Sequence, residues 1–495
     1  MSTDTLTQDH AEQVVLPPGK HYIDGQWSDG SGSERRDVVD PSTGRVVTTV
    51  PEGTVEDVDR AVAAARRAFD SGPWRTMSPR ERGAVLQRAA ALIMEHGEEL
   101  ARLESLDTGK PITFARMIDT NTTAEHFSYF AGLAGAIEGA TRGIRGPGLA
   151  YTRREPLGVV AAITPFNFPM ILSTSKIAPA LAAGNTVVHK PAEDTPLTAL
   201  RIAELLTEAG LPAGVLNVVT GHGAVAGDRL TRHPDVDRIA FTGSTKVGSA
   251  IAATAAANVT PVTMELGGKS ANIVFDDADL DEAVQAAVSA FVFNTGQFCM
   301  GGTRLLVQRG VYEQVLAGVV GGATHVPVGD PLDEGTVVGP MAGERHLENV
   351  ERFVALADGE GGRGRVVAGG QRIEKDGGFY MAPTVVADVA QDSRLVQEEI
   401  FGPVLTVQVF DTEEEAIALA NGTPYGLAAG LHTKDVARAH RVAARLEAGL
   451  IWVNTYGILD VSLPFGGYKA SGYGRENGPE ALDEYLQTKS VYVAL

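Results

Sequence analysis

Gly158-Val-Val-Ala-Ala-Ile-Thr-Pro-Phe-Asn-Phe-Pro169 begins as an unbroken apolar run and then breaks on two prolines around an amide side chain. The run has the length of a buried strand rather than a helix, and continuous apolarity, unlike alternation, marks a strand covered on both faces. The same pattern returns at 186–189, 216–219, 238–242 and 262–265, with helical stretches between. Thr195-Pro196 reads as an N-cap followed by proline at the first helical position, and that helix stops at Gly210-Leu-Pro212. Continuous strands alternating with helices predict an α/β, doubly wound parallel sheet, which binds dinucleotides at the carboxyl ends of its strands.

Outward from this block, strand-like runs at 272–275, 304–308, 404–410 and 450–454 alternate with helices at 280–293 and 413–421, predicting a second α/β unit. Upstream, Asp24-Gly25 lies between strand-like residues as in a hairpin. Thr54 with Asp57, and Ser78-Pro79 with Glu81, carry helix-start signals, the first followed by Val58, Val62, Ala65 and Phe69 on one face. The glycine-rich stretch 359–370 reads as a surface turn or short linker, and residues 1–18 as a loose terminus. The final residues, 487–495, alternate as a strand would, and in a monomer would leave an open edge that a second subunit would cover.

A chain of 495 residues exceeds what one core serves, so several lobes are expected. The formal charge of −20 opposes nucleic acid as a partner, and the pairs Arg35-Arg36 and Arg66-Arg67 read as solvated faces. Residues 156–175 carry no charge over a length that could span a bilayer, but Pro165, Asn167 and Pro169 would leave backbone groups unpaired in lipid, so no membrane segment is expected. The N-terminal residues resemble no secretory signal, and one cysteine excludes an internal disulfide; both suit a cytoplasmic, reducing compartment. The histidines show no HxxxH pair or carboxylate cluster, so no metal site is expected.

Cys299 sits in Asn294-Thr-Gly-Gln-Phe-Cys-Met-Gly-Gly302, a glycine-rich break between helix and strand; it is either a small buried hydrophobe or a nucleophile on a functional loop. Glu265 closes the apolar strand 262–265, and a carboxylate there needs a partner, of which Lys269 is one, or a task. Asn167 is either a turn residue or an oxyanion donor. Gly221-His-Gly-Ala-Val-Ala226 and Phe241-Thr-Gly-Ser-Thr-Lys-Val-Gly248 each follow a strand and open a helix, where backbone amides can hold a pyrophosphate.

Seven motifs then converge. Thr164-Pro-Phe-Asn-Phe-Pro169, His189-Lys-Pro-Ala-Glu193, Phe241-Thr-Gly-Ser244, Met264-Glu-Leu-Gly-Gly-Lys-Ser270, Gly296-Gln-Phe-Cys299, Glu398-Glu-Ile-Phe-Gly-Pro403 and Pro464-Phe-Gly-Gly-Tyr-Lys469 resemble, in order and spacing, the aldehyde dehydrogenase superfamily. The resemblance implies a cofactor domain from 19–131 and 152–266, a catalytic domain from 267–466, and an oligomerisation element from 132–151 and 480–495, assembled as a homodimer or homotetramer. It implies Cys299 as nucleophile, Asn167 as oxyanion donor, Glu265 as the base that activates water, and Lys176 with Glu476 in a proton relay. NAD would be the cofactor, with NADP admitted by rotation of Glu193. The dinucleotide would meet Ile163, Thr164, Pro165, Phe166, Lys190, Glu193, Gly223, Gly227, Phe241, Thr242, Gly243, Ser244, Gly248, Leu266, Glu399 and Phe401. Glu265 argues against the branch that transfers acyl groups to coenzyme A.

For the aldehyde, the resemblance places Phe166, Met170, Phe293 and Phe298 along a tunnel with Met300, Ile458, Leu459 and Phe465, which predicts a hydrophobic aliphatic or aromatic substrate. Asp460 points instead to an aminoaldehyde, as in a betaine-aldehyde-like enzyme, and a semialdehyde dehydrogenase is the other alternative. Two rivals stand beside this reading. A thiol hydrolase or acyltransferase without nucleotide would need a histidine base, and the motif that carries Cys299 has none. A catalytically silent scaffold is opposed by the joint presence of Cys299, Glu265 and Asn167.

Overall fold

The computed structural model describes residues 14–357 and 364–495. Most of the expected loose terminus, and part of the 359–370 stretch, lie outside them. The first sheet has eight strands in the order Gln26–Ser28, His21–Ile23, Leu216–Val218, Thr186–Lys190, Val159–Ile163, Arg238–Thr242, Val262–Glu265 and Gly472–Tyr473. The five strands from Leu216–Val218 to Val262–Glu265 run parallel. The predicted Asp24-Gly25 hairpin adds one antiparallel edge, and Gly472–Tyr473, from far down the chain, adds the other. Chain order reverses between Val159–Ile163 and Arg238–Thr242, so the loops at 164–168 and 243–244 flank a topological switch point, where a doubly wound sheet opens a crevice.

Every residue of the Val159–Ile163, Thr186–Lys190 and Arg238–Thr242 strands is buried, as continuous apolarity requires. Both predicted helix starts form complete capping boxes, Thr54 with Asp57 and Ser78 with Glu81. The third departs from expectation. The Leu197–Glu208 helix has Pro196 at its N-cap position and no side-chain cap from Thr195. Its free N–H at Leu197 is taken by Asp107 Oδ2, 2.9 Å away and ninety residues upstream; a proline N-cap offers no oxygen side chain, so a buried carboxylate from another helix fills the role.

The second sheet runs Arg365–Ala368, Thr384–Ala387, Val404–Phe410, Arg304–Gln308, Ala271–Val274, Ala428–His432 and Leu450–Val453, parallel except at its first pair. Within the glycine-rich stretch, residues 365–368 form this edge strand rather than a turn, because Val366 and Ala368 pair with Val386 and Val385. A third sheet joins Thr141–Arg142, Gly148–Pro156 and Leu486–Ala494, antiparallel throughout. Residues 132–133 belong instead to the Asn121–Leu133 helix. Leu486–Ala494 pairs along its whole length with Gly148–Pro156 and has no strand on its other side among the described residues. No helix among them is long and apolar enough to cross a membrane.

Candidate functional site

The loop bearing Cys299 is built on three consecutive left-handed residues, Asn294 (φ 49°), Thr295 (φ 56°) and Gly296 (φ 69°), directly after the Leu280–Val292 helix. A β-branched threonine resists this conformation at a cost of about 1–3 kcal/mol, so surrounding contacts must impose it. They are present: Thr295 Oγ1 donates to the Gly339 carbonyl at 3.0 Å, and Asn294 Nδ2 donates to the carbonyls of Asn167 (2.9 Å) and Gln297 (3.1 Å). A Cβ on Gly296 would stand 2.1 Å from the Gly402 carbonyl oxygen, so only glycine fits between these loops.

Asn167 meets the same loop from the first sheet, its Nδ2 donating to the Gln297 carbonyl at 3.0 Å. An amide nitrogen carries two hydrogens, so one remains for another acceptor. Asn167 is buried and its Oδ1 has no partner. Glu265 follows on the third side. Directly after it, Gly267 and Gly268 permit two close approaches: a Cβ on Gly268 would lie 2.3 Å from the Cys299 carbonyl oxygen, and one on Gly267 would lie 2.4 Å from Glu399 Oε2. Glu399 Oε1 accepts the Gly268 N–H at 3.0 Å. Residues remote in sequence thus approach one another closely because two glycines carry no side chain.

Neither oxygen of Glu265 has a hydrogen-bond partner. The Lys269 alternative is not realised, since Lys269 Nζ is also without one. Burial, and then the negative charge of Glu476, push the Glu265 carboxyl well above its usual range, against the pull of Lys176. The Cys299 thiol is pushed up to about 12 by burial and by the carboxylates of Glu399 and Glu265, while the backbone N–H groups of Met300 and of Cys299 itself favour the thiolate. Lys176 and Glu476 form a buried ion pair, extended by Ser175 Oγ donating to Glu476 Oε2 (2.8 Å) and Lys176 Nζ to Thr242 Oγ1 (2.7 Å). Cys299, Glu265, Glu476 and Lys176 therefore sense one another electrostatically, with Asn167 bonded to the cysteine loop.

At the switch point, Thr164 Oγ1 contacts His189 Nε2 at 3.0 Å. Lys190 Nζ reaches Glu193 Oε2 at 3.4 Å. Burial would raise Glu193, but Lys190, the residue's own backbone N–H and His222 together outweigh it and hold the carboxyl below its usual range, so an anionic acceptor stands at the end of the Thr186–Lys190 strand. Gly223 has open space where a side chain would be, and a Cβ on Gly227 would sit 3.6 Å from the Lys190 stem. Ser244 caps the Thr245–Asn258 helix through Val247 N–H, presenting that N-terminus beside Gly243. Gly248 admits Leu266, whose side chain would be 2.4 Å from a Cβ there. Phe401, left-handed at φ 60°, packs edge-on to Phe166, with centroids 5.8 Å apart. Thr242 and Phe241 end the neighbouring strand, Ile163 ends the one beside it, and Pro165 lies two residues beyond.

The expected aldehyde wall is brought together in part. Phe293 and Phe298 pack edge to face at 5.2 Å, and both meet Phe168, which the sequence reading passed over. Met300, Phe298 and Phe465 share a cluster with Cys299, while Ile458 and Leu459 are exposed. Met170 is not at the wall. It is fully buried in the core of the first unit, because the helix beginning at Pro169 turns it inward and leaves Ile171 and Leu172 half-buried in its place. Beneath Phe168 lies a buried ionic cluster equally absent from the sequence reading: Lys110 Nζ stands 4.1 Å from the ring centroid, pairs with Asp119 and lies 3.6 Å from Glu104. Glu104 accepts from Met170 N (3.4 Å) and Thr198 Oγ1 (2.9 Å), supplying the acceptor that the helix after Asn167 lacks at its own start. Nothing local marks these charges as buried. The Asp460 carboxylate accepts from Ser462 N (2.8 Å) and the Ser462 hydroxyl, closing its own turn.

Comparison with known proteins gives one answer. Residues 27–491 match the model of the Aldehyde dehydrogenase family. The chain is 45% identical over 476 residues to DhaS of Bacillus subtilis (strain 168), a provisionally assigned aldehyde dehydrogenase, covering 96% of each chain. It superposes with TM-score 0.95 at 42% identity on a variant of the P. syringae indole-3-acetaldehyde dehydrogenase AldA in complex with NAD+ and IAA, covering 98% of each chain. A Staphylococcus aureus betaine aldehyde dehydrogenase in complex with NAD+ gives TM-score 0.94 at 41% identity over 96% of this chain and 94% of that one.

Proposed function

This chain belongs to the aldehyde dehydrogenase family, and from that premise we propose how its own residues carry out NAD-dependent oxidation of an aldehyde to a carboxylic acid. The Cys299 sulfur attacks the carbonyl carbon, and its proton passes to a base. The oxyanion so formed is stabilised by the free N–H of Asn167 and the Cys299 amide, groups already held in place before charge develops. NAD, which Lys190, Glu193, Ser244, Glu399 and Phe401 would hold, would supply the acceptor for the hydride of the former carbonyl carbon. The thioester that remains on Cys299 is hydrolysed by a water whose proton goes to Glu265, and Glu476 with Lys176 carries it onward. The observation that carries this reading is the meeting of an unpartnered buried carboxylate, Glu265, with the free thiol loop across Gly267-Gly268.

The dinucleotide fits the switch point. Glu193 with Lys190 suits the hydroxyls of the adenosine ribose, and a carboxylate held ionised repels a 2′-phosphate, which favours NAD over NADP. The Ser244 helix end and Gly243 suit the pyrophosphate. Glu399 and Phe401 suit the second ribose. The chain divides by function into the cofactor unit, the catalytic unit and the small three-stranded sheet. The exposed edge of Leu486–Ala494 favours a homodimer or homotetramer in the cytoplasm, where a free Cys299 stays reduced. Light scattering at micromolar protein is expected to give two or four chain masses; a 52.0 kDa particle overturns the assembly.

The aldehyde is apolar, aliphatic or aromatic. Phe168, Phe293 and Phe298 offer a continuous aromatic wall, and Asp460 turns one carboxylate oxygen, Oδ1, back onto Ser462 in its own turn. The same wall suits an arylacetaldehyde such as indole-3-acetaldehyde better than betaine aldehyde. Initial rates of NADH formation are expected to rank hexanal and benzaldehyde above 4-aminobutyraldehyde by about 10-fold or more in kcat/KM, because an unpaired ammonium in that wall costs at least ~1.4 kcal/mol. A preference for the amine brings down the apolar assignment, and no NADH from any aldehyde brings down the reaction.

A further inference from the structure

Cys299 and Met300 occupy the two central positions of a tight turn closed by the Gly301 N–H on the Phe298 carbonyl at 2.9 Å. The N–H and C=O of the peptide shared by the two central residues, and the C=O of the following one, have no partner inside such a turn, so something outside must fix them. The Met300 N–H favours the Cys299 thiolate. On the other side of the same residue, the Met300 carbonyl accepts the Tyr456 hydroxyl at 2.8 Å.

Resting on the reading of Cys299 as nucleophile, we propose that Tyr456 is a positioning residue: by pinning the Met300 carbonyl it holds the Met300 N–H on the attacking sulfur. The phenol is well placed to act as a fixed post. Its ring is stacked at a tilt on Trp452, centroids 4.7 Å apart, and is wedged where a Cβ on Gly302 or Gly430 would come within 2.9 Å or 2.6 Å. The backbone leading to it is tied to the second sheet by Asn454, whose N–H donates to the Leu431 carbonyl at 2.8 Å and whose Oδ1 accepts Thr433 N–H at 2.9 Å. Burial pushes the Tyr456 phenol's pKa above its usual value and so opposes its ionisation, and it remains a donor throughout the working pH range. The sulfur faces the Glu399 and Glu265 carboxylates, which oppose its ionisation; an amide that yields even a few tenths of an ångström leaves that repulsion less compensated.

The test is Tyr456→Phe, which removes one oxygen and keeps the ring. The pH midpoint of iodoacetamide alkylation at Cys299 is expected to rise by ~1 unit, slowing alkylation near neutrality ~10-fold, and kcat to fall with it while the KM values for aldehyde and NAD hold. Gly430→Ala, which keeps the phenol but places a methyl against its ring, is expected to move the midpoint the same way, and supplies the answer if Tyr456→Phe does not fold. An unmoved alkylation profile in either folded variant, even with a lowered Tm, overturns the positioning role and makes Tyr456 simply a packing residue. Failure of the nucleophile reading looks different: Cys299→Ala would then still turn over, whatever Tyr456 does.

Discussion

Cys299→Ala is expected to abolish aldehyde-dependent NADH formation, a loss on the scale of ~10⁶ in kcat seen when a covalent catalyst loses its nucleophile, with little change in folding. The chain has no second cysteine to substitute. The loop that carries Cys299 is held by Asn294, Thr295, Gly296 and Tyr456, none of which touches the sulfur through a bond that alanine would break, so the backbone stays put. Removing a half-buried thiol costs about 1 kcal/mol of packing. Affinity for NAD, measured by calorimetric titration, is expected to persist, since Glu193, Lys190 and Glu399 are untouched. Residual turnover within about 100-fold of the parent would remove Cys299 from the chemistry.

The same sulfur carries a pH signature. Burial and two neighbouring carboxylates push its thiol up to about 12, so at neutral pH the resting form is protonated and attack requires a proton acceptor at that moment. That first step is distinct from the last, in which the orphaned Glu265 carboxylate, itself resisting ionisation, takes the proton of water.

What the sequence makes legible is local. The strands Arg238–Thr242, Val262–Glu265, Arg304–Gln308 and Val404–Phe410 and the helix Glu413–Asn421 fall at the residues their patterns predict, because burial on both faces and helix periodicity are written in consecutive side chains. The capping boxes at Thr54 and Ser78 are read as easily, since cap and box partner lie three residues apart. Where a role is taken by a distant residue, the sequence is silent. Asp107 displaces Thr195 as a cap. Lys110, Glu104 and Asp119 carry no local signal of burial, yet they meet in the core beneath Phe168. Tyr456 gives no hint of Met300. Met170 shows the converse limit: its motif was recognised, but which face of a helix turns inward depends on the sheet it packs against. The motif resemblance located Cys299, Glu265, Asn167, Lys176 and Glu476 in one region; the glycine pair at 267–268 is the physical reason that region closes.

Glu265→Gln is expected to separate the two halves of the reaction. The amide keeps the shape of the side chain but cannot accept a proton from water, so rapid mixing should give a burst of NADH close to one per active site, followed by a steady state slower by ~10²–10⁴-fold, the usual worth of a general base. A burst that vanishes along with the steady state assigns Glu265 to the thiol's proton instead. In the parent, deacylation is expected to accelerate as pH rises through the carboxyl's elevated range, and the variant should lack that limb. Stability supplies an independent check whose sign follows from linkage. The folded state raises this carboxyl by burial and by Glu476, so between the ordinary carboxylate value near ~4.3 and the elevated one the folded protein holds a proton that the unfolded chain has lost. Folding stability from this group is therefore complete in acid and is lost as pH rises. Glutamine cannot pay that electrostatic penalty, so the Tm of Glu265→Gln is expected to exceed the parent's at about pH 8 and to converge on it near the unfolded carboxylate value. A variant less stable than the parent at alkaline pH would mean that Glu265 is held as a paired anion rather than as the unpartnered base on which hydrolysis depends.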